Sequence, residues 1–275
     1  MEIVERYTKG KRSQETNEDT ITVTNNFAAV IDGATNKSLT QVDSELSNGR
    51  YVATVINDII SEMEKDISCE QFCILVTKSI YQIYDRKHIL DRMILHPEER
   101  LTASVIIYSE TRKQVWMIGD CQALINGELY LNPKPADIYA SNIRSNYINQ
   151  ELCSGASVNK FFSRDTGREM VVPLIVDCCA FQNSKECDAL SFSVVDGFDI
   201  NLAKVRIIDI DSSTKEIVLA SDGYPKLLPT LAKSEFELKE QLEVDPLCIN
   251  RFKSTKGLVN GNISFDDRSY LRIKI

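Results

Sequence analysis

Near its start the chain reads Asp19-Thr-Ile-Thr-Val-Thr-Asn-Asn-Phe-Ala-Ala-Val-Ile-Asp32-Gly33. Two apolar or β-branched runs are separated by a pair of asparagines, a pattern that is typical of two strands joined by a tight turn. We therefore predict a β-hairpin whose second strand stops at Asp32-Gly33. An antiparallel sheet would then begin early in the chain, and its second strand would end on a carboxylate.

Two long helices are predicted after this hairpin. Over residues 48–63 the apolar positions recur every three or four residues, which is the spacing of one helix face. A second helix is predicted from about residue 69 to residue 96, ending before Pro97. Residues 101–131 then contain short strand-like runs with polar turns between them, which predicts an antiparallel meander.

The middle of the chain lacks such patterns. Residues 132–200 show no sustained period and contain Pro133 and Pro135, so we predict an irregular excursion from the core. Further on, the sequence predicts two strands, a helix and a closing strand at residues 205–208, 216–221, 234–242 and 270–275. No repeat, low-complexity tract or linker divides the chain, which favours one domain over residues 1–275.

The charge of the chain excludes several classes of function. Its 275 residues include 40 acidic and 32 basic side chains, which give a formal net charge of -8. No basic run is longer than Lys11-Arg12, so we expect no nucleic-acid partner. Only His88 and His96 could supply imidazole ligands, so a metal would be held by oxygen atoms, which suit Mg²⁺ or Mn²⁺.

The sequence also bears on the cellular compartment. The first residues lack the basic-then-apolar order of a signal peptide, and the longest apolar run, residues 170–176, is far short of the ~18 residues that a membrane span needs. The eight cysteines include no Cys-x-x-Cys pair, which argues against a zinc ribbon or a thioredoxin-type site. We expect a cytoplasmic protein with free thiols and no membrane partner.

Aspartates recur where the predicted strands begin or end. Their positions are Asp19, Asp32, Asp222 and Asp266. Taken singly, an Asp-Gly pair after a strand is a turn signal. If the strands are neighbours, however, the carboxylates gather at one end, where their repulsion is costly without a cation. A pair of divalent ions there would lower the pKa of a bridging water and present a hydroxide for in-line attack on phosphorus.

Several short segments follow one another in an order that is typical of a known family. They are Asn17-Glu18-Asp19, Phe27-Ala-Ala-Val-Ile-Asp32-Gly33, Thr102-Ala-Ser, Met117-Ile-Gly-Asp120, Leu219-Ala-Ser-Asp222-Gly223 and Asp266-Asp267. Their series resembles the metal-dependent protein phosphatases of the type 2C class (PPM-type), with the chain as a divergent, bacterial-type member. The resemblance implies an α+β four-layer sandwich, in which two antiparallel β-sheets pack face to face with helices on both outer faces.

The resemblance also implies a set of metal ligands. Asp32 would bridge two ions, Mg²⁺ or Mn²⁺, and the Gly33 carbonyl would bind one of them. Asp222 and Asp266 would hold the other ion. Asp120 would face a third and weaker metal position.

The resemblance implies two further, catalytic positions less directly. Asp19, with Glu18 beside it, would act through metal-bound water. Gln14 stands where many members have an arginine that binds the substrate phosphate. Arg12, two positions away, is a candidate substitute, and the alternative is that Arg12 is a solvated surface residue.

Other departures concern the proton donor and the third ion. Ala34 stands where some members have a histidine that acts as general acid, so water would have to protonate the leaving alkoxide. Lys226 stands where the family often has a further aspartate, which leaves the third ion open.

The sequence therefore predicts a metal-dependent phosphatase with a role in signalling. It would hydrolyse phosphomonoesters by a metal-bridging hydroxide, with phosphoserine or phosphothreonine on proteins as the favoured substrate. Two alternatives stay open. One is a phosphatase-like binding or regulatory module whose chemistry has decayed, and the other is a phosphatase that acts on a small phosphorylated metabolite.

Overall fold

The computed structural model describes all residues from Met1 to Ile275, and its strands form two antiparallel sheets of five strands each. The first sheet contains, in spatial order, β2 (Asp19–Val23), β3 (Phe27–Gly33), β4 (Ala103–Ser109), β5 (Gln114–Ile118) and β8 (Arg206–Asp209). The second contains β1 (Glu2–Lys9), β10 (Arg268–Lys274), β9 (Glu216–Ala220), β6 (Gln122–Ile125) and β7 (Glu128–Tyr130).

The two sheets pack face to face through apolar side chains. Val30 and Met117 of the first sheet belong to one buried cluster with Leu219 and Leu271 of the second. Alternate residues of each strand point to this shared layer, as the period of a half-covered strand requires. The predicted α+β class and the face-to-face pairing of antiparallel sheets are confirmed.

Helices α1 (Asn48–Glu62) and α2 (Cys69–Arg86) cover the outer face of the first sheet. Ser47 caps the start of α1, and Ser68 forms a capping box with Gln71 at the start of α2. The indole ring of Trp116 on β5 stacks against Phe72 of α2, with ring centroids 6.2 Å apart. This face of the sandwich buries a cluster of 24 residues, the largest in the protein.

The outer face of the second sheet is covered by the chain that follows β9. Tyr224 and Leu227 are buried there against Tyr270, and Leu231, the first residue of α7 (Leu231–Val244), packs against the same cluster. A bidentate ion pair joins Glu235 of α7 to Arg268 of β10.

The single helix predicted for residues 69–96 is wrong in its second half. Helix α2 ends at Arg86, and a separate short helix, α3, spans Leu90–Leu95. Between them His88 adopts a φ of 56°, a left-handed conformation that an α-helix does not continue through.

The irregular excursion predicted for residues 132–200 is also wrong for much of its length. Three helices occupy this stretch: α4 (Pro135–Cys153), α5 (Val158–Ser163) and α6 (Thr166–Cys178). The buried face of α4 includes Ser141, Arg144 and Ser145, so it lacks the apolar stripe that the sequence search requires. Arg144 is fully buried and forms an ion pair with Asp165 just before α6.

Two strand assignments also differ from expectation. The sequence predicted no strand at the amino terminus, yet β1 pairs with β10 along its length. The predicted meander over residues 101–131 consists of strands as expected, but the chain changes sheets after β5, so β6 and β7 belong to the second sheet. None of the helices has the length and apolar character needed to span a bilayer.

Candidate metal and phosphate site

Strand ends from both sheets bring three aspartates together. Asp32 ends β3, Asp120 lies in the crossing from β5 to β6, and Asp222 follows β9. One carboxylate oxygen from each of the three lies within 4.8 Å of the others. We call these residues the three-aspartate cluster. They line a cavity of about 320 Å³ between the sheet ends and the helices that follow β7.

The backbone at Gly119 is required for this convergence. Gly119 has a φ of +88°, and a Cβ on this residue would lie 2.3 Å from the Ser104 hydroxyl oxygen. This close approach lets the Ser104 hydroxyl donate to Asp120 Oδ1 at 2.6 Å. Ser104 is itself opposite Asp32 in the pairing of β3 with β4, so one serine connects two members of the cluster.

The three carboxylates have unequal electrostatic environments. Burial and the neighbouring carboxylates raise the pKa values of Asp32 and Asp222 well above the ordinary value for aspartate. Burial would raise the pKa of Asp120 as well, but the Lys134 ammonium, 2.8 Å from Oδ1, and the Ser104 hydroxyl outweigh it and lower that pKa. When all three carboxylates are ionised, their three negative charges are offset by the single charge of Lys134, which leaves two uncompensated.

Asp19 lies directly behind this cluster, opposite Asp32 in the pairing of β2 with β3. The Ser221 hydroxyl donates to its Oδ2 at 2.6 Å, whereas its Oδ1 is buried and has no hydrogen-bond partner. Burial, opposed in part by Ser221, raises the pKa of Asp19 to about 8. A buried oxygen without a donor is costly in a protein interior, so this atom marks a place for a water or an ion.

A second set of acids, in and beside the same cavity, already has cations. Lys11 Nζ lies 3.2 Å from Asp266, 3.4 Å from Asp267 and 3.8 Å from Glu18. Lys256 forms a further ion pair with Asp266. We call Glu18, Asp266 and Asp267 the lysine-bound group. Burial would raise the pKa of Asp266, but the two ammonium groups outweigh it and lower that pKa strongly.

The residues predicted from the sequence are therefore only partly brought together. Asp32 and Asp222, which were expected to hold the metal pair, lie together with Asp120, which was expected to face a separate third position, and Gly33 also lines the cavity. Asp266 lines the cavity but binds lysines and does not belong to the three-aspartate cluster.

Glu18 and Arg12 lie outside the cavity lining. The carboxylate of Glu18 accepts hydrogen bonds from the hydroxyls of Ser47 and Thr35, at 2.7 and 2.6 Å, next to the start of α1. Lys11, the neighbour of Arg12, is the residue whose side chain reaches the acidic residues.

The sequence search missed the lysines of the site. Lys134 is the N-cap residue of α4, in the stretch predicted to be irregular. Lys256 belongs to a loop with no regular pattern. The one available signal was the Pro133-Lys134-Pro135 sequence, because proline at the first helical position indicates a helix start. Lys11 lies 255 residues from Asp266, and no local pattern reports such a contact.

The donor set fits a hard dication. All the candidate ligand atoms are oxygens, as Mg²⁺ and Mn²⁺ prefer. With all three carboxylates ionised, the two uncompensated charges of the three-aspartate cluster equal the charge of one such ion. The unpartnered Oδ1 belongs to Asp19, which pairs with Asp32 in the sheet. No protein donor reaches the side chains of Asp32 or Asp222, in contrast to Asp120 and Asp19, which each accept from a serine.

Comparisons with known proteins identify similar structures but no matching sequence family. No protein-family model and no curated protein matches the chain. A bacterial serine phosphatase is 13% identical, with 98% of this chain and 96% of that chain covered and a TM-score of 0.45. The serine/threonine phosphatase Stp1 from Staphylococcus aureus is 13% identical, with 98% and 94% covered and a TM-score of 0.46.

A third similar structure is the catalytic domain of the serine/threonine protein phosphatase PstP in complex with 2 manganese ions. It is 11% identical, with 99% of both chains covered and a TM-score of 0.45. Identities this low, with TM-scores below 0.5, do not establish a shared function. The interpretation of the site therefore depends on the residues of this chain.

Proposed function

We propose that this protein is a Mg²⁺- or Mn²⁺-dependent phosphatase that hydrolyses phosphomonoesters, with phosphoserine or phosphothreonine on proteins as substrate. The observation that carries the proposal is the convergence of Asp32, Asp120 and Asp222 at the strand ends with two uncompensated negative charges. When bound, a divalent ion supplies Lewis-acid polarisation and lowers the pKa of water near the phosphorus.

The chain's own residues would divide the remaining work. Asp32, Asp120 and Asp222 would hold the ion, and Lys134 would keep Asp120 ionised. Asp19, fixed by Ser221, would orient a water through its free Oδ1. No histidine lines the cavity, so the leaving alkoxide would take its proton from water, as the sequence predicts.

The number of ions is part of the proposal. The sequence-based prediction of two ions requires Asp266 as a ligand, and a second ion would have to displace Lys11 and Lys256 from that carboxylate. We therefore propose one ion per chain, in the three-aspartate cluster, with Lys11 serving as a permanent cation for the lysine-bound group. A third ion beside Asp120 would compete with Lys134.

The rim of the cavity favours a protein substrate over a small metabolite. Leu129, Leu131 and Ile138 line the cavity and remain 45%, 45% and 48% exposed. An apolar rim can contact residues that flank a phosphorylated side chain, whereas a small, fully polar metabolite would leave it in water. The eight cysteines are all free, which supports the proposed location in the reducing cytoplasm.

The proposal is tested by turnover of a generic phosphomonoester, p-nitrophenyl phosphate, with Mn²⁺ and with chelator. We expect turnover that needs the metal and is lost in Asp32→Asn. The matched control is Asp91→Asn, because Asp91 is an exposed aspartate on α3 that does not line the cavity. Absence of metal-dependent turnover in the wild-type protein would contradict the enzymatic proposal, and so would full activity in Asp32→Asn.

One observation favours a second candidate, the binding or regulatory module without catalysis. Lysines already neutralise Asp120, Asp266 and Asp267, which reduces the field available to attract ions. Such a module would bind a phosphorylated ligand but release no phosphate from it. Calorimetry with Mn²⁺ separates the two candidates, because the module should bind the ion poorly while the enzyme should bind it in the three-aspartate cluster.

A further inference from the structure

Two cations on the wall of the cavity have no acidic partner. Lys37, in the loop after β3, makes no hydrogen bond and no ion pair within the protein, although it is only partly exposed. Arg168, in the first turn of α6, uses its guanidinium only to donate to the Thr255 carbonyl oxygen at 3.3 Å. The other partly buried lysines of this cavity differ, because Lys134 and Lys256 each form an ion pair with an aspartate.

The electrostatic environment of the two groups is unfavourable without an anion. Burial lowers the pKa of Lys37, and the charges of Lys134 and Arg168 lower it further, against the opposing effects of Cys179 and Asp137. Burial also lowers the pKa of Arg168, although nearby carboxylates, Asp137 foremost, oppose the change. Positive charges held together away from bulk water, with no carboxylate at ion-pair distance, are stabilised by a bound anion.

We propose that Lys37 and Arg168 form an anion subsite that binds the phosphoryl oxygens of the substrate and of the phosphate product. A guanidinium can donate two parallel hydrogen bonds to a phosphoryl group, and an ammonium adds a point charge from another direction. The assignment of this anion as the substrate's phosphoryl group rests on the proposed function.

The position of the subsite supports this assignment. Lys37 follows Asp32 by five residues, in the loop that leaves β3, and both residues line the same cavity of about 320 Å³. Arg168, in α6, lines the same cavity, and its charge acts on Lys37. A phosphoryl group bound in this cavity would share it with the three-aspartate cluster and the two cations. Gln14, which replaces the arginine expected from the sequence resemblance, does not line the cavity, and its side chain accepts from the Gly10 amide.

The experiment measures binding of inorganic phosphate to the full chain by calorimetry after treatment with chelator. We expect the wild-type protein to bind phosphate and both Lys37→Met and Arg168→Met to weaken binding at least ~10-fold, as loss of a charge-assisted contact predicts. Arg168→Lys keeps the positive charge but cannot donate two parallel hydrogen bonds, so a smaller loss of phosphate affinity is expected. Lys239→Met is the control, because Lys239 is an exposed lysine on α7 that pairs only with Glu243.

Two results would overturn the inference: no phosphate binding by the wild-type protein, or unchanged affinity in Lys37→Met and Arg168→Met variants whose thermal melting shows an intact fold. If Arg168→Met fails to fold, Lys37→Met and Arg168→Lys still decide the question. Because this binding is measured without metal and without turnover, its outcome is independent of the enzyme assay. Metal-dependent turnover together with unchanged phosphate affinity in the variants would contradict the subsite but not the proposed enzyme. Phosphate binding that depends on Lys37, without any turnover, would contradict the catalytic proposal but not the subsite.

Discussion

Two sets of carboxylates lie in and beside one cavity, and they are neutralised in different ways. In the three-aspartate cluster, three carboxylates have one lysine between them, and two of the side chains accept no hydrogen bond from the protein. In the lysine-bound group, Lys11 reaches all three carboxylates and Lys256 adds a second charge at Asp266. The chain supplies one ammonium group to the first set and two to the second.

The difference teaches that position at a strand end does not by itself make an aspartate a metal ligand. Asp222 and Asp266 both flank strands of the second sheet and both line the cavity. Their pKa values are nevertheless shifted in opposite directions, upward for Asp222 by burial and neighbouring carboxylates, and downward for Asp266 because two lysines outweigh its burial. Each prediction below tests whether this distinction holds in solution.

The largest effect is expected on metal affinity. Asp222→Asn should weaken Mn²⁺ binding by roughly 100-fold or more, since loss of a ligand should exceed the 10–100-fold that loss of a supporting partner costs. Asp266→Asn should weaken Mn²⁺ binding less than about 10-fold, because Asp266 acts on the ion only through its electrostatic field. Calorimetry measures both variants against Asp91→Asn. Equal losses of Mn²⁺ affinity in the two variants would show that the two groups of carboxylates do not differ as metal ligands.

The next largest effect concerns stability. Asp266→Asn leaves Lys11 and Lys256 short of a counter-charge, so it should lower the free energy of unfolding by about 2 kcal/mol at pH 7. The figure is below the cost of breaking a fully buried pair, because both lysines keep some contact with water. Denaturant unfolding of chelator-treated protein measures it, and a variant as stable as wild type would show that these ion pairs contribute nothing.

The same variant has a defined pH dependence. The pKa of Asp266 is held below its ordinary value of about 4, so the folded state binds this proton less readily than the unfolded chain. Its contribution to stability is therefore fully present above pH ~4 and is lost as the pH falls through the folded pKa. The difference in stability between wild type and Asp266→Asn should be constant from pH 6 to 8 and should shrink in acid.

A smaller effect of opposite sign is expected in the three-aspartate cluster. Without metal, Asp32→Asn should raise the free energy of unfolding by about 1 kcal/mol at pH 8, because it removes one of three mutually repelling carboxylates and breaks no hydrogen bond. The pKa of Asp32 is raised, so its ionisation destabilises the fold as the pH rises from about 4 through the raised value.

Wild-type protein in chelator should therefore lose stability between pH 5 and pH 8, and Asp32→Asn should lose less. Unfolding curves at the two pH values measure the difference. Excess Mn²⁺ should restore the stability of the wild-type protein at pH 8 but should not stabilise Asp32→Asn, because an ion that binds only the folded state stabilises that state. A metal-free Asp32→Asn variant that is less stable than wild type would show that the carboxylate has a structural partner.

The first hairpin and the strand-end positions of Asp32 and Asp222 were predictable because their signals are local, whereas Asp120 was expected at a separate position from the family resemblance alone. The alternation of Thr20 to Val23 and the Asn25-Asn26 turn fix the register that places Asp19 opposite Asp32. The Asp-Gly and Gly-Asp pairs then mark the strand ends on which the carboxylates lie. These features depend on neighbours a few residues apart, which sequence patterns report.

The parts that the sequence did not predict depend on distant or polar contacts. Helix α4 buries Arg144 and two serines, so its periodicity is hidden from a search for apolar residues. The ion pairs of Lys11 with Asp266 and Asp267 join residues more than 250 positions apart, and Lys134 reaches Asp120 only because α4 starts where it does. A charge pattern along the chain cannot tell whether a given aspartate will meet a metal ion or a lysine.

The last prediction tests whether Lys11 itself stands in for an ion. Wild-type protein should bind one Mn²⁺ per chain, and Lys11→Met should bind a second one weakly, with a Kd of roughly 1 mM, because Glu18, Asp266 and Asp267 then lack their shared ammonium. Calorimetric stoichiometry measures the change, with Lys239→Met as the control.

Methionine is chosen because it keeps much of the length of the lysine side chain and removes only the charge. The affinity of the first ion should remain within a few-fold, since Lys11 does not contact the three-aspartate cluster. Two ions bound to the wild-type protein would mean that a metal displaces Lys11, and that the two groups of carboxylates form a single two-ion site after all. One ion bound to both proteins would mean that Lys256 alone suffices to neutralise the lysine-bound group, which would reduce the role of Lys11 to positioning the chain before β2.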